Sequence, residues 1–214
     1  QEDYFFEAVI MEPVMGEGNP GLALTPEFYS LVRKLSLEQE SILCIDSIQA
    51  ALRTHGCLSI CDYPGFEDLD PPDLETYSKA LNAGQYPLSI LAVSERVEKQ
   101  YITGLYGNTM TTNPKALEVA LLTLKQMTES VRKNIPKAGL SLLNKLKSLQ
   151  EKYPQLILNV QGTGLLVSCL INSQKVDVVA EKGLEHELRC NGLGIIHGGE
   201  NCLRLTPHFR LSED

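Results

Sequence analysis

The chain has 214 residues, 43% hydrophobic and 21% charged, a balance that suits a globular protein with one large core or two smaller ones. A formal net charge of -8 and a pI near 5.1 argue against nucleic acid or an anionic membrane surface as the main partner. No apolar run approaches the roughly 20 residues that a membrane span needs, and no signal or transit segment is visible in these residues.

In chain order, "FFEAVIME" (5–12) is strand-like and runs into the Gly/Pro-rich loop "PVMGEGNPG". Thr25 and Pro26 open a helical pattern that puts Phe28, Leu31, Val32 and Leu35 on one face. "ILCIDSI" (42–48) is nearly continuous in apolar residues, as expected of a strand buried on both faces of a parallel sheet. Residues 55–73 are loop-like, with Pro64, Gly65, Pro71 and Pro72. "LETYS" and "PLSILAVS" (87–94) are further strands, the second leading into a polar helix. Asn113-Pro114 starts a long helical stretch expected to bend or break near Pro136 and Gly139. After Tyr153-Pro154 the strands "LILNVQG", "GLLVSCLI", "LGIIHGG" and "CLRLTP", with a helix around 175–190, form a small α+β unit. The expected domains are therefore 1–135 and 136–214.

Six cysteines are spread through apolar or mixed surroundings, and only Cys57 and Cys61, with His55 nearby, cluster. Their spacing fits no common zinc pattern, so no metal is expected and the thiols read as free, in a reducing compartment such as the cytoplasm or the mitochondrial matrix. Both ends read as cut: Gln1 stands where a methionine would, and Ser212-Glu213-Asp214 is a helix cap and first turn with no helix after it.

Strand, helix, strand, loop, strand, strand, then helices is an α/β order, and ligands of such sheets sit at the carboxyl ends of the strands. Glu12, Asp46 and Lys79 all fall at or near such ends. Taken singly, each is well explained as half of an ordinary ion pair. Together they suit pyridoxal phosphate, which needs a lysine for a Schiff base, an acid to keep its pyridine nitrogen protonated and donors for its phosphate.

The segments "VIMEPVMGEG", "LCIDSIQAALRTHG", "PPDLETYSKALNAGQYPLS" and "YGNTMTTNPKALEVALLTL" resemble, in order, motifs of the class-III aminotransferases, which include ornithine and acetylornithine aminotransferases. "VQGTGLLVSCLI" and "NGLGIIHGGENCLRLTPHF" resemble the family's small-domain strands. The resemblance implies fold type I of the pyridoxal phosphate enzymes: part of the large α/β domain sheet, then a truncated small α+β domain. It implies Lys79 as the Schiff-base lysine, Asp46 on the pyridine nitrogen and Gln49 on the ring's phenolic oxygen. Glu12 would support the cofactor pocket as a hydrogen-bond acceptor. Thr109 would bind the phosphate from the other subunit of a homodimer whose active sites lie at the interface. Glu17 would pair with Arg204 as a gate that opens for the second carboxylate of 2-oxoglutarate. The implied reaction moves an amino group from an ω-amine or amino-acid donor, such as ornithine or acetylornithine, to a 2-oxo acid.

Some residues depart from the family pattern. Ser47 stands where the family usually has glutamate, and the arginine of the R-T-G element appears one place early as Arg53. The family's N-terminal half, which carries the phosphate loop, the ring-stacking aromatic and the donor-recognition residues, has no counterpart here. The active site within this chain is therefore expected to be incomplete. Two alternatives stay open: another class-III reaction, as in an aminomutase, decarboxylase or racemase, or a non-catalytic fragment or dimerisation module.

Overall fold

The computed structural model describes residues 4–105, 109 and 111–212. Two compact units emerge: the first comprises 1–13, 24–51 and 57–127, the second 14–23, 52–56 and 128–214. The boundary expected at 135 falls inside a helix that belongs wholly to the second unit. Among the described residues no helix is long and apolar enough to cross a membrane, and no group of three or more His, Cys, Asp or Glu side chains could hold a metal ion. None of the six cysteines is in a disulfide.

The first unit is built on a four-stranded sheet in the order β1 (Ala8–Met11), β2 (Ile42–Asp46), β3 (Leu74–Tyr77), β4 (Ile90–Val93). The first three strands are parallel and β4 is antiparallel to β3. Helix α1 (Pro26–Glu38) makes the crossover from β1 to β2, with proline in its first turn and Thr25 accepting the Phe28 amide as its cap. The face bearing Phe28, Leu31 and Leu35 is exposed. Tyr29, Arg33 and Ser36 are buried instead, because this face is claimed by polar partners. Tyr29 donates its hydroxyl to the Asp70 carbonyl at 2.8 Å, and Arg33 donates to Asp73 at 2.8 Å.

Asp73 therefore organises this unit. Its carboxylate, only 1% exposed, meets the Arg33 guanidinium and, at 3.6 Å, that of Arg96, which follows β4. It also accepts the Leu43 amide of β2 at 2.9 Å, while its own amide donates to the Leu43 carbonyl at 3.0 Å. Burial alone would raise its pKa. The Arg33 and Leu43 hydrogen bonds and the two positive charges outweigh that and hold it below its ordinary value of 3.8.

The long helical stretch breaks at Met127–Thr128, not near Pro136. Helix α2 (Glu95–Glu98) is a single turn after β4, α3 is Pro114–Gln126 and α4 is Glu129–Lys152. Asn113 caps α3 and Thr128 caps α4, each by accepting an amide in the first turn. Pro136 lies inside α4, where Val131 and Ile135 before it and Ala138 and Gly139 after it are all buried. Packing on both sides of the proline offsets the roughly 3 kcal/mol that it costs a helix interior.

The second unit has an antiparallel sheet in the order β5 (Ile157–Thr163), β6 (Leu166–Ile171), β8 (Cys202–Leu205), β7 (Ile196–His197), with α5 (Leu184–Cys190) between β6 and β7. Ile157, Val160, Cys169, Ile171, Val178, Ile195 and Leu203 form its core. Gly139 of α4 lies directly against the β5–β6 turn. A Cβ there would stand 2.1 Å from the Gly164 carbonyl oxygen. Gly164 has φ +55°, and a Cβ on it would meet the Thr54 carbonyl oxygen at 1.9 Å.

Two stability measurements check these contacts. Asp73→Asn should cost about 3 kcal/mol by urea unfolding at neutral pH, since Arg33 is left buried without its anion. A depressed folded pKa contributes stability above the unfolded carboxyl's pKa and loses it as pH falls through the folded value, so the variant should lose less than the parent below about pH 4. Gly139→Ala should cost about 2 kcal/mol because backbone must move to admit it. Gly194→Ala, where a Cβ meets nothing within 4 Å, should stay within about 0.5 kcal/mol of the parent.

Candidate active site

The parallel register carries three of the sequence-selected residues to one edge of the first sheet. Asp46 is the last residue of β2 and pairs with Thr76 of β3. Met11 pairs with Ile45, so Glu12, the residue after β1, comes level with Asp46. Lys79 follows β3 by two residues. Strands lie about 4.8 Å apart and a chain spans at most about 3.6 Å per residue, so the Lys79 backbone, three residues past Thr76, stands within roughly 16 Å of that of Asp46.

Asp46 is half-buried. Its Oδ1 accepts the Ile48 amide at 3.0 Å, a local turn that orients the carboxylate, and the Thr76 hydroxyl at 3.4 Å. Its Oδ2 has no hydrogen-bond partner among the described residues. Gln49 sits half-buried in the turn that follows.

Lys79 is exposed and has φ 44°, a left-handed conformation unusual for a lysine. Such backbone persists only where its surroundings over-determine it, and such positions cluster at functional sites. Here the flanks are anchored. Tyr77 on one side and Leu81 on the other are buried in a cluster with Ala51 and Ala120. Residues Lys79–Asn82 form a 3-10 turn closed by Ala83 at φ 51°, and the Gly84 amide donates to the Asn82 side chain at 2.8 Å. Ser78 bonds the Leu88 carbonyl. The amine is thus offered from a short, tethered turn.

Thr109 lies in an exposed turn beside residues outside the described set. Glu17 and Arg204 belong to the second unit and do meet. Arg204, on β8 and 8% exposed, donates through Nη1 to the Gly16 carbonyl at 2.6 Å and to the Glu17 carboxylate. The arginine side chain is buried and backbone-anchored, while that of Glu17 is 56% exposed. Nearby, burial first and the Arg204 charge second pull the Arg53 pKa down to about 10. Arg53 also donates to the Pro207 carbonyl at 2.8 Å, so the residue displaced by one place in the sequence motif supports the strand end beside Arg204.

Sequence reading overlooked Glu75. It is 3% exposed, and its carboxylate accepts three hydrogen bonds next to the Asp46 turn. The signal was available: an acid in the middle of a short strand between other strands must be satisfied by something.

The class-III aminotransferase family pattern matches residues 6–214. The acetylornithine aminotransferase of Clostridium acetobutylicum is 32% identical over 207 residues, covering 96% of this chain and 50% of that protein. The mitochondrial acetylornithine aminotransferase of Yarrowia lipolytica is 32% identical, covering 96% of this chain and 47% of its own length. Among solved structures, the ornithine delta-aminotransferase of Plasmodium falciparum superposes with a TM-score of 0.83 at 26% identity, over 96% of this chain and 52% of that one. This chain belongs to the class-III aminotransferases, a family of fold type I that uses pyridoxal phosphate. It spans about half the length of the curated relatives it matches.

One measurement tests the anchoring of the lysine turn. Leu81→Ala should cost about 3 kcal/mol, as for other fully buried leucines, and should make the peptide bonds around 79–84 the first to be cut in limited proteolysis.

Proposed function

We propose that this chain is the lysine-bearing half of an aminotransferase that moves an amino group from an ω-amine or amino-acid donor, such as ornithine or acetylornithine, to a 2-oxo acid such as 2-oxoglutarate. The observation that carries the reading is the placement of Asp46 and Lys79 at the carboxyl ends of adjacent parallel strands. An amine on a tethered turn and a carboxylate with one oxygen left open suit the two ends of a pyridine aldehyde. When bound, pyridoxal phosphate supplies an electron sink that lets a bond at the substrate's amino-bearing carbon break.

In this reading Lys79 would hold the cofactor through its aldehyde, and its amine would move the proton at the substrate's amino-bearing carbon. Asp46 Oδ2 would accept a hydrogen bond from the protonated ring nitrogen and stabilise its charge. Gln49 bonds the phenolic oxygen, and Glu12, level with Asp46, orients neighbouring donors. Thr109 binds the phosphate of the partner copy in a homodimer. Glu17 and Arg204 act as the gate. The glutamate, with a side chain 56% exposed, is the partner that can move out to solvent, and a substrate carboxylate would take its place on the buried arginine. The arginine meanwhile stays held by the Gly16 carbonyl and is ready for a second carboxylate. Such a gate is useful mainly when two substrates alternate, which favours transamination over mutase, decarboxylase or racemase chemistry. The mitochondrial matrix and the cytoplasm both suit cysteines that form no disulfide.

A second reading rests on the chain's extent. It covers half of its relatives, and the edge strands β1 and β4 expose Ile10, Ile90, Leu91 and Val93. On that reading it binds cofactor weakly by itself and turns over only with a polypeptide corresponding to the relatives' other half.

Titration with pyridoxal phosphate tests the proposal. The chain, alone or with that other half added, should develop a visible absorption band distinct from free cofactor. Lys79→Ala should abolish the band, and Asp46→Asn should weaken cofactor affinity about tenfold or more, as expected when a charged hydrogen bond is lost. A band that survives Lys79→Ala would overturn the proposal.

A further inference from the structure

Glu75 is a buried acid without a cation. Asp73, two residues earlier, faces Arg33 and Arg96, whereas among the described residues no Lys, Arg or His pairs with Glu75. Burying a carboxylate costs several kcal/mol unless its lone pairs are satisfied. Here neutral donors satisfy them. Oε1 accepts the Ser47 hydroxyl at 2.5 Å and the Ile60 amide at 3.0 Å, and Oε2 accepts the Ser59 hydroxyl at 2.7 Å. The buried Tyr77 phenol lies against the same carboxylate, whose charge and hydrogen bond add to burial in raising the phenol's pKa.

The partners of Glu75 sit at particular places. Ser47, 0% exposed, directly follows Asp46, and its amide donates to the Thr76 carbonyl at 3.1 Å. Residue 47 is thus tied to β3 by backbone and by side chain. Ser59 accepts the Cys61 amide at 3.1 Å and so caps the 3-10 turn Ile60–Asp62. Tyr77 precedes Lys79 by two residues. One carboxylate therefore joins the turn that carries Asp46, the strand that leads to Lys79 and the loop segment 59–60. Ser47 also occupies the position at which the family pattern carries a glutamate. Here the Ser47 hydroxyl donates to the Glu75 carboxylate on the neighbouring strand.

We infer that Glu75 is a positioning residue for the Asp46–Lys79 pair, its carboxylate holding the turn after β2 and the end of β3 in one fixed geometry. The inference rests on the proposed function for what that pair binds, but not for the holding itself. Its burial in β3 is explained by geometric specificity, since a well-packed hydrophobic residue would serve stability at least as well.

The test uses the full chain with Glu75→Leu, Glu75→Gln and the double variant Ser47→Glu/Glu75→Leu. Amide hydrogen exchange, which needs no cofactor, should quicken about tenfold or more at Ser47 and Ile60 in Glu75→Leu, the scale of a lost charged hydrogen bond, with the Leu43 amide little changed. Unchanged exchange at Ser47 and Ile60 would overturn the inference. In the second arm pyridoxal phosphate is fixed by borohydride and the labelled lysines are located by mass spectrometry. Label should concentrate on Lys79 in the parent, fall severalfold there in Glu75→Leu and recover in the double variant. Should Glu75→Leu not fold, Glu75→Gln, which keeps the size and one acceptor, is read the same way for a smaller loss. Undiminished Lys79 labelling in the single variants would overturn the inference alone. A parent chain not labelled at Lys79 would overturn the functional reading, and the exchange result would still decide the positioning role.

Discussion

The pairing of β2 with β3 is held by a buried carboxylate near each end, and the rest of the first unit is arranged around that pair. At the amino end Asp73 takes the Leu43 amide and both arginines, which locks α1 and the segment after β4 onto the sheet. At the carboxyl end Glu75 gathers Ser47, Ser59 and the Ile60 amide. Between them the register Cys44↔Leu74, Ile45↔Glu75 and Asp46↔Thr76 leaves no room for slippage. A slip of one residue would turn each side chain to the opposite face. The placement of Asp46 and Lys79 at the carboxyl ends of neighbouring strands depends on this register.

The two acids solve the same problem differently. Asp73 is neutralised by guanidinium groups, which makes its contribution sensitive to acid and strong in holding separate elements together. Glu75 is satisfied by hydroxyls and an amide, which are directional and fix local geometry without adding a positive charge beside the lysine. In the second unit the Glu17–Arg204 contact has its own asymmetry, a buried cation and an anion more than half exposed to solvent.

Much of the fold was legible in local chemistry. The apolar run at 42–48, the Thr25-Pro26 and Asn113-Pro114 helix starts and the strand "LETYS" all agree, within a residue or two, with the elements observed. The misreadings share a cause. Phe28, Leu31 and Leu35 look like a core face, yet they are exposed because Arg33 and Tyr29 have partners 40 and 41 residues away along the chain. Pro136 looks like a helix end, but α4 runs through it because residues on both sides are packed. Glu75 stands in a short strand, and nothing near it in sequence names Ser47 or Ser59 as its donors.

By itself the sequence determined the element types, the family and the motif positions Asp46, Lys79, Glu17 and Arg204, because caps, periodicity and short motifs are encoded by neighbours a few residues apart. Tertiary structure alone decided which buried acids were satisfied and by whom, which helix face was covered, and which residues stood abreast at the sheet edge. Those outcomes depend on strand register and on contacts between distant segments, and the free energy of a buried charge is settled by whatever the fold brings beside it.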